Sequence, residues 1–211
     1  MAAFEGQTVA ITDSERPLFK ALADAFASEG AAVYPIQQGD DITARPVDTL
    51  VVLPPLLPPQ PTLDVSDTDW SSAVETALSR SFRLIKAAGV GMVARRQGCI
   101  LVIGKLTAST GWPGYALSSA VHGALLALTR SLACEWAAHN VRVVYLSCGA
   151  IEGELAVPGD LSPQFSARTP LGRSAAPEEI TQAALYLASA SFTTGTEFRA
   201  DGGWSAWGLL K

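Results

Sequence analysis

The sequence predicts a single α/β domain built on a doubly wound parallel sheet. Short apolar runs typical of buried strands alternate with helical stretches along the chain. Of its 211 residues, 48% are apolar and 17% are charged, which is enough apolar surface for a sizeable core. No repeat or long linker divides the chain, so residues 1–211 are interpreted as one domain.

Six strands and four helices follow from the patterning. The strands are predicted at 8–12, 31–36, 48–53, 99–104, 141–147 and 195–201, and the helices at 16–28, 70–96, 115–138 and 177–189. The 70–96 helix carries apolar residues at helical spacing after capping candidates at 66–69. Five prolines within 53–61 impose an extended path after the third strand.

Charge and cysteine content exclude several function classes. The net charge of −5 and the isoelectric point near 5.0 argue against nucleic acid or an anionic membrane surface as partner. No apolar run reaches the roughly 18 residues of a membrane span, and the start lacks signal-peptide features, so a cytoplasmic protein is expected. Cys99, Cys134 and Cys148 are expected to be reduced, buried thiols, and no metal site is predicted.

The C-terminal two-thirds of the chain resembles the short-chain dehydrogenase/reductase superfamily. The matching stretches are WSSAVETALSRSFRLIKA, GCILVIG, SLACEWAAHNVRVVYLSCGAIEGEL and TPLGRSAAPEEITQAALYLASASFTTGTEFRADGGW, in the family's order. The resemblance implies a Rossmann-like fold and a link to NAD(P)-dependent oxidoreductases.

The family's four catalytic positions are vacant in this sequence. Family members use an Asn, a Ser and a Tyr-x-x-x-Lys pair, in which the Tyr exchanges a proton and the Lys lowers its pKa. An alignment without gaps between Trp70 and Leu155 places Ala77, Lys105, Ser118 and His122 at these positions. Tyr115 is an alternative tyrosine, but it requires a three-residue deletion and then places Ser119 at the lysine position.

The cofactor turn is also lost. The family's Thr-Gly-x-x-x-Gly-x-Gly turn lets the backbone approach a pyrophosphate, and here Asp13, Pro17 and Phe19 occupy the glycine positions. Asp13 and Glu15 are expected to place negative charge beside a diphosphate, and Phe19 to fill its space. Residues 36–61 form a shortened cofactor region, in which the ten residues between Ile36 and Val47 are too few for the usual helix–strand–helix. Part of the adenosine-binding half is therefore expected to be missing.

The resemblance favours a non-catalytic structural or regulatory subunit of an NAD(P)-dependent oxidoreductase complex. Its partner would be an active homologous subunit that holds the NAD(P), as in hetero-oligomeric members such as the hydroxybenzylsuccinyl-CoA dehydrogenase of anaerobic toluene breakdown. A heterotetramer is expected through helices 70–96 and 115–138 and through the C-terminal helix and strand. In the tail 204–211, the residues expected to reach the partner's substrate pocket are Trp204, Trp207, Leu210 and Lys211.

Two alternatives remain open. The first is a cofactor-independent enzyme that uses Lys105, Ser118 or His122, although no acidic residue is placed to orient the imidazole, and a lysine directly after a strand is more often solvated in a loop. The second is a self-associating module that binds a small ligand.

Overall fold

The computed structural model describes residues 3–37, 40–154 and 168–207. Six strands form one parallel sheet in the order β2-β1-β3-β4-β5-β6. They are β1 (Thr8–Thr12), β2 (Ala32–Ile36), β3 (Thr49–Val52), β4 (Gly98–Lys105), β5 (Val141–Cys148) and β6 (Glu197–Ala200). The predicted doubly wound sheet is confirmed, and each strand end lies within two residues of its expected place.

Helices cover both faces of the sheet. They are α1 (Pro17–Ser28), α2 (Asp67–Ala73), α3 (Arg80–Arg95), α4 (Ala116–Trp136), α5 (Pro177–Ser189) and the short α6 (Trp204–Trp207). The predicted 70–96 helix begins earlier, at Asp67, because Ser66 and Asp69 form a capping box. It is continuous through Val74–Ser79, which are wound as a π-helix between α2 and α3.

The two faces of the sheet bury separate apolar clusters. The face covered by α3 and α4 packs residues such as Ile85, Met92 and Leu125 against the strands. The opposite face packs α1 and α5, through Leu22 and Leu187 among others. With both faces covered, the central strands are mostly apolar, as expected for a parallel sheet. This arrangement leaves the carboxyl ends of the strands as the open edge of the domain.

The central strands meet closely at that edge. The Tyr145 ring on β5 is fully buried and lies over Gly104 on β4. A β-carbon at position 104 would stand 1.9 Å from the Tyr145 hydroxyl oxygen, so only glycine fits there. Lys105 is the next and last residue of β4.

The region between β2 and β3 is short. Its described residues contain one 3₁₀ turn, Ile42–Ala44, in which Asp41 accepts a hydrogen bond from the Thr43 amide. After β3, the proline-rich segment runs without regular structure, and Gln60 donates a backbone hydrogen bond of 2.7 Å to the Gly114 carbonyl. The 53–61 segment therefore lies against the loop that precedes α4.

One stretch in the described part of the chain, Ala116–His139, is long and apolar enough to cross a membrane by length and composition. Half of its apolar window is buried inside the domain, where α4 packs on β4 and β5. That burial is typical of a core helix.

The three cysteines are free thiols. Cys99 and Cys148 are buried, but the expectation of a buried Cys134 is wrong, because this residue lies on the exposed side of α4.

Candidate functional site

Four chain segments meet at the carboxyl edge of the sheet, after β1, β3, β4 and β5. In open parallel sheets, ligands bind in the crevice at this edge, near the point where the strand order reverses. Here the reversal falls between β1 and β3, directly beneath the amino terminus of α1.

A buried ion pair occupies that position. Arg16, which follows β1, donates from Nε to Oε1 of Glu154 at 3.1 Å and from Nη2 to Oε2. The Leu18 amide in the first turn of α1 donates to the same Oε1 at 3.0 Å. Arg16 also donates from Nη1 to the Pro54 carbonyl at 2.7 Å. The side chains of Arg16 and Glu154 are 8% and 0% exposed, so the pair is almost fully shielded from water.

The Glu154 carboxylate is thus bound as an anion at a helix amino terminus. The free N–H groups and the positive end of the helix dipole favour a negative group there, as they favour phosphate in dinucleotide-binding folds. The bidentate guanidinium adds charge-assisted hydrogen bonds. The protein therefore supplies its own anion at the place where such folds hold a pyrophosphate.

The three vacated glycine positions lie around this pair. Asp13 keeps a left-handed backbone conformation (φ 57°), although it is not glycine. It is half-buried, and desolvation raises the pKa of its carboxyl despite the opposing charge of Arg16. Pro17 begins α1, and Phe19 is half-buried against the apolar cluster on that face. The acidic residue at the helix terminus is Glu154, while Glu15 is exposed to solvent.

The Ala77 position lies inside the π-helical segment and is fully buried. The Ser81 hydroxyl, four residues later, donates to the Ala77 carbonyl at 2.6 Å. π-Helical turns are rare and occur often at functional sites. The π-helical backbone is present at this position, but the side chain is the methyl group of alanine, where the family has the amide of an asparagine.

Ser118 and His122 lie one turn apart on the buried side of α4. Ser118 Oγ is 3.0 Å from Thr107 Oγ1, so its hydroxyl is already paired. His122 is 3% exposed, and its Nδ1 has no hydrogen-bond partner within the described residues. Desolvation, followed by the charges of Lys105 and Arg16, lowers the pKa of the imidazole to about 3. His122 is therefore neutral at physiological pH.

Lys105 is the last residue of β4, where it pairs in register with Cys148. The expectation that Lys105 is a solvated loop lysine is wrong, because the residue belongs to β4 and is half-buried at the crevice. Desolvation and the charge of Arg16 lower the pKa of its amine, against the opposing effects of Glu154 and Cys148. Desolvation also raises the pKa of the Cys148 thiol to about 12, which makes it a poor nucleophile.

Tyr115 occupies the N-cap position, just before the first residue of α4, and makes no capping hydrogen bond with its side chain. Its ring packs edge-on against Trp112. Burial raises the pKa of its hydroxyl above the ordinary value of tyrosine. No lysine lies one turn after it, since position 119 is a serine.

The tail residues differ in their surroundings. The Trp204 ring lies 5.1 Å from that of Trp112 in the same chain, at an interplanar angle of 33°. Asp201 holds this turn by accepting hydrogen bonds from the amides of Gly203 and Ser205. Trp207 is 46% exposed, and Leu210 and Lys211 lie outside the described residues.

A groove of about 320 Å³ opens on the side where the chain is shortened. It lies between the 3₁₀ turn after β2 and α3, and its charged lining residues are Asp40, Asp41, Arg80 and Arg83. Within residues 3–37, 40–154 and 168–207, no three His, Cys, Asp or Glu side chains come together to hold a metal ion.

The structure brings together Lys105 and His122 from the predicted set, near the Arg16–Glu154 pair that the sequence analysis did not find. The two members of the pair are 138 residues apart in sequence, so no local pattern connects them. The sequence offers only two indications of this pair: Arg16 lies in the turn that replaces the family's glycine-rich turn, and Glu154 follows shortly after β5.

A family model described as enoyl-(acyl carrier protein) reductase matches residues 3–205. The chain is 34% identical over 147 residues to a Xanthobacter autotrophicus protein named inactive 2-(S)-hydroxypropyl-CoM dehydrogenase 2, covering 65% of this chain and 64% of the relative. It is 36% identical over 153 residues to a galactitol 2-dehydrogenase (L-tagatose-forming) of Cereibacter sphaeroides, covering 69% of this chain and 60% of the relative. The matched region therefore spans less than two thirds of the length of these relatives.

Solved structures extend the likeness to nearly the whole chain. The structure of a short-chain dehydrogenase/reductase family protein superposes with a TM-score of 0.86 at 32% identity, covering 97% of this chain and 100% of that one. A 3-oxoacyl-[acyl-carrier protein] reductase from Brucella melitensis gives a TM-score of 0.87 at 22% identity, which bears on the fold alone.

Proposed function

Because the chain is a member of the short-chain dehydrogenase/reductase superfamily, we propose that it is a non-catalytic structural or regulatory subunit of an NAD(P)-dependent oxidoreductase complex. The observation that carries this proposal is the buried Arg16–Glu154 pair at the amino terminus of α1. A bound pyrophosphate would have to displace the Glu154 carboxylate and would leave it without its partners. Both changes cost free energy that a dinucleotide must supply.

The residues at the catalytic positions support the same proposal. Proton exchange with a carbonyl or alcohol needs a group whose pKa lies near the working pH. Ser118 is a paired neutral hydroxyl, and the His122 pKa of about 3 is far below neutrality. Tyr115 has a raised pKa and no lysine one turn later. A Xanthobacter relative is itself named an inactive dehydrogenase, which adds a precedent among related proteins.

The assembly surfaces are the second part of the proposal. The bundle formed by residues 70–96 and 115–138 would pack against the same helices of an active homologous subunit, and α5 with β6 would form the second contact of a heterotetramer. The α2–α3 helix exposes Trp70, Phe82 and Val90, whose exposed fractions are 46%, 44% and 66%. On the other face, the Tyr186 and Phe198 rings lie 6.1 Å apart, 55% and 37% exposed. Exposed aromatic residues of this kind are typical of interface cores.

Co-purification and calorimetry test this proposal. The tagged chain, isolated from its native source, is expected to carry a second reductase with intact Tyr and Lys residues. The chain alone should give no saturable heat with oxidised or reduced nicotinamide nucleotides at millimolar concentration, while the complex binds them. A homogeneous assembly of this chain alone, or nucleotide binding by the isolated chain, would count against a non-catalytic subunit.

The exposed tail residue Trp207 gives a test of the tail's role. We expect the tail 204–211 to line the partner's substrate pocket, so Trp207→Ala should lower the partner's kcat/KM by about tenfold through loss of an aromatic anchor. Affinity for the nicotinamide cofactor should stay unchanged. Leu63→Ala removes another exposed apolar side chain, 99% exposed, and should leave kcat/KM at its original value. Full activity in the Trp207→Ala complex would mean that the tail does not reach the pocket.

A further inference from the structure

The Lys105 amine stands at the crevice without a partner of its own in the described part of the chain. Glu154, the buried carboxylate that acts on it electrostatically, already accepts hydrogen bonds from Arg16 and Leu18. Cys148, its register partner on β5, is a neutral thiol. Among the described residues, the Lys105 amine thus has a nearby opposite charge in Glu154 but no hydrogen-bonded counter-ion of its own.

His122 provides an independent sign that a ligand belongs here. His122 is only 3% exposed, yet its Nδ1 has no hydrogen-bond partner within the described residues. Buried polar atoms are nearly always hydrogen-bonded, so an unpaired one calls for an explanation such as a missing ligand. Lys105 is close enough for its charge to lower the His122 pKa. Two polar groups without partners therefore lie near each other at the crevice.

The surroundings also favour a reactive amine. Desolvation and the Arg16 guanidinium both lower the Lys105 pKa, which increases the fraction of free amine at neutral pH. An amine in such a site is a nucleophile toward carbonyl carbon. The residue is half-buried rather than fully buried, so part of it is open to solvent.

We propose that Lys105 is a carbonyl-binding residue that forms a reversible imine with a small aldehyde or ketone. The amine nitrogen attacks the carbonyl carbon, a C–N bond forms, and the carbonyl π electrons move to oxygen. The two amine protons pass to that oxygen, the C–O bond breaks, and water leaves. No electrons are exchanged with a redox cofactor. The proposal goes beyond the subunit role, with which it is compatible.

Trapping with a reducing agent tests this chemistry on the full chain. The protein is incubated with butanal and sodium cyanoborohydride, which reduces any imine to a stable secondary amine, and the adducts are located by peptide mass mapping. At pH 7, Lys105 should be modified about tenfold faster than Lys86, which is exposed on α3. Labelling of Lys105 should also persist to lower pH than labelling of Lys86, because its amine releases its proton more readily.

Two variants serve as matched controls. Lys105→Arg keeps the positive charge without a nucleophilic amine. This variant should lose the rapidly formed adduct and keep the slower modification of Lys86. Lys86→Arg should still form the rapid adduct at Lys105. If Lys105 reacts no faster than Lys86, or if the two lysines share one pH profile, the proposal is overturned. That outcome would leave the co-purification and nucleotide-binding results unaffected, so failure of this proposal is distinct from failure of the subunit role.

Discussion

Glu154→Ala should lower the free energy of unfolding by about 3–5 kcal/mol, because it leaves the Arg16 guanidinium buried without its counter-ion. The substitution also removes the acceptor of the Leu18 amide, so the first turn of α1 loses its cap. Arg16 would keep only the Pro54 carbonyl as a described acceptor. Urea denaturation at pH 7, with an unchanged m-value, would measure the loss.

Three further variants isolate the cause. Glu152, two residues earlier, is exposed, and Glu152→Ala should change stability by less than about 0.5 kcal/mol. Glu154→Gln keeps an acceptor oxygen and should cost less than Glu154→Ala. The double variant Arg16→Met with Glu154→Leu should recover most of the loss, since apolar replacement of a whole buried pair is often neutral. A loss below about 1 kcal/mol for Glu154→Ala would show that Arg16 is not left as an uncompensated buried charge.

The same variant tests whether Glu154 stands in for a phosphate group. In Glu154→Ala, the Arg16 guanidinium and the Leu18 amide would both be free to bind an anion at the amino terminus of α1. Millimolar pyrophosphate should therefore raise the melting temperature of Glu154→Ala but not that of the original chain. An equal response in both proteins would mean that the anion binds elsewhere.

The fold could be predicted well because its determinants are local. A parallel strand covered on both faces is an uninterrupted apolar run, and the run at 99–104 became β4 with one residue added at each end. Helix boundaries follow capping signals in the same way, as with Pro17 at the start of α1. The π-helical turn at Val74–Ser79 had no such signal, because its sequence has ordinary helical spacing.

The site was predicted only in part, because its decisive contacts join distant segments. The alignment placed residues at vacated positions, but it could not show that Glu154 folds back onto the start of α1, 136 residues away from Leu18. The environment of Lys105 was misjudged for the same reason. The sequence placed it just after a strand, whereas it is the last residue of β4 and the charges of Arg16 and Glu154, from distant segments, act on its amine.

His122 should make the protein sensitive to mild acid. The native imidazole has a pKa of about 3, because burial and the nearby charges of Lys105 and Arg16 oppose protonation, whereas histidine in the unfolded chain titrates near 6.5. Below pH 6.5 the unfolded state therefore binds a proton that the native state does not. The stability from this group is complete at pH 7 and is lost progressively as the pH falls from 6.5 toward 3. By pH 5 the loss should be about 2 kcal/mol.

The slope of stability against pH separates this effect from ordinary acid unfolding. His122→Gln should remove about 2 kcal/mol of the difference between pH 7 and pH 5, because glutamine takes up no proton in this range. The chain has one other histidine, so His139→Gln is the matched control and should retain the full slope. Urea denaturation of the three proteins at half-unit steps between pH 7 and pH 4.5 would measure it. Parallel curves for the original chain and His122→Gln would mean that the buried site admits a proton, or a neutralising ligand, more readily than its burial implies.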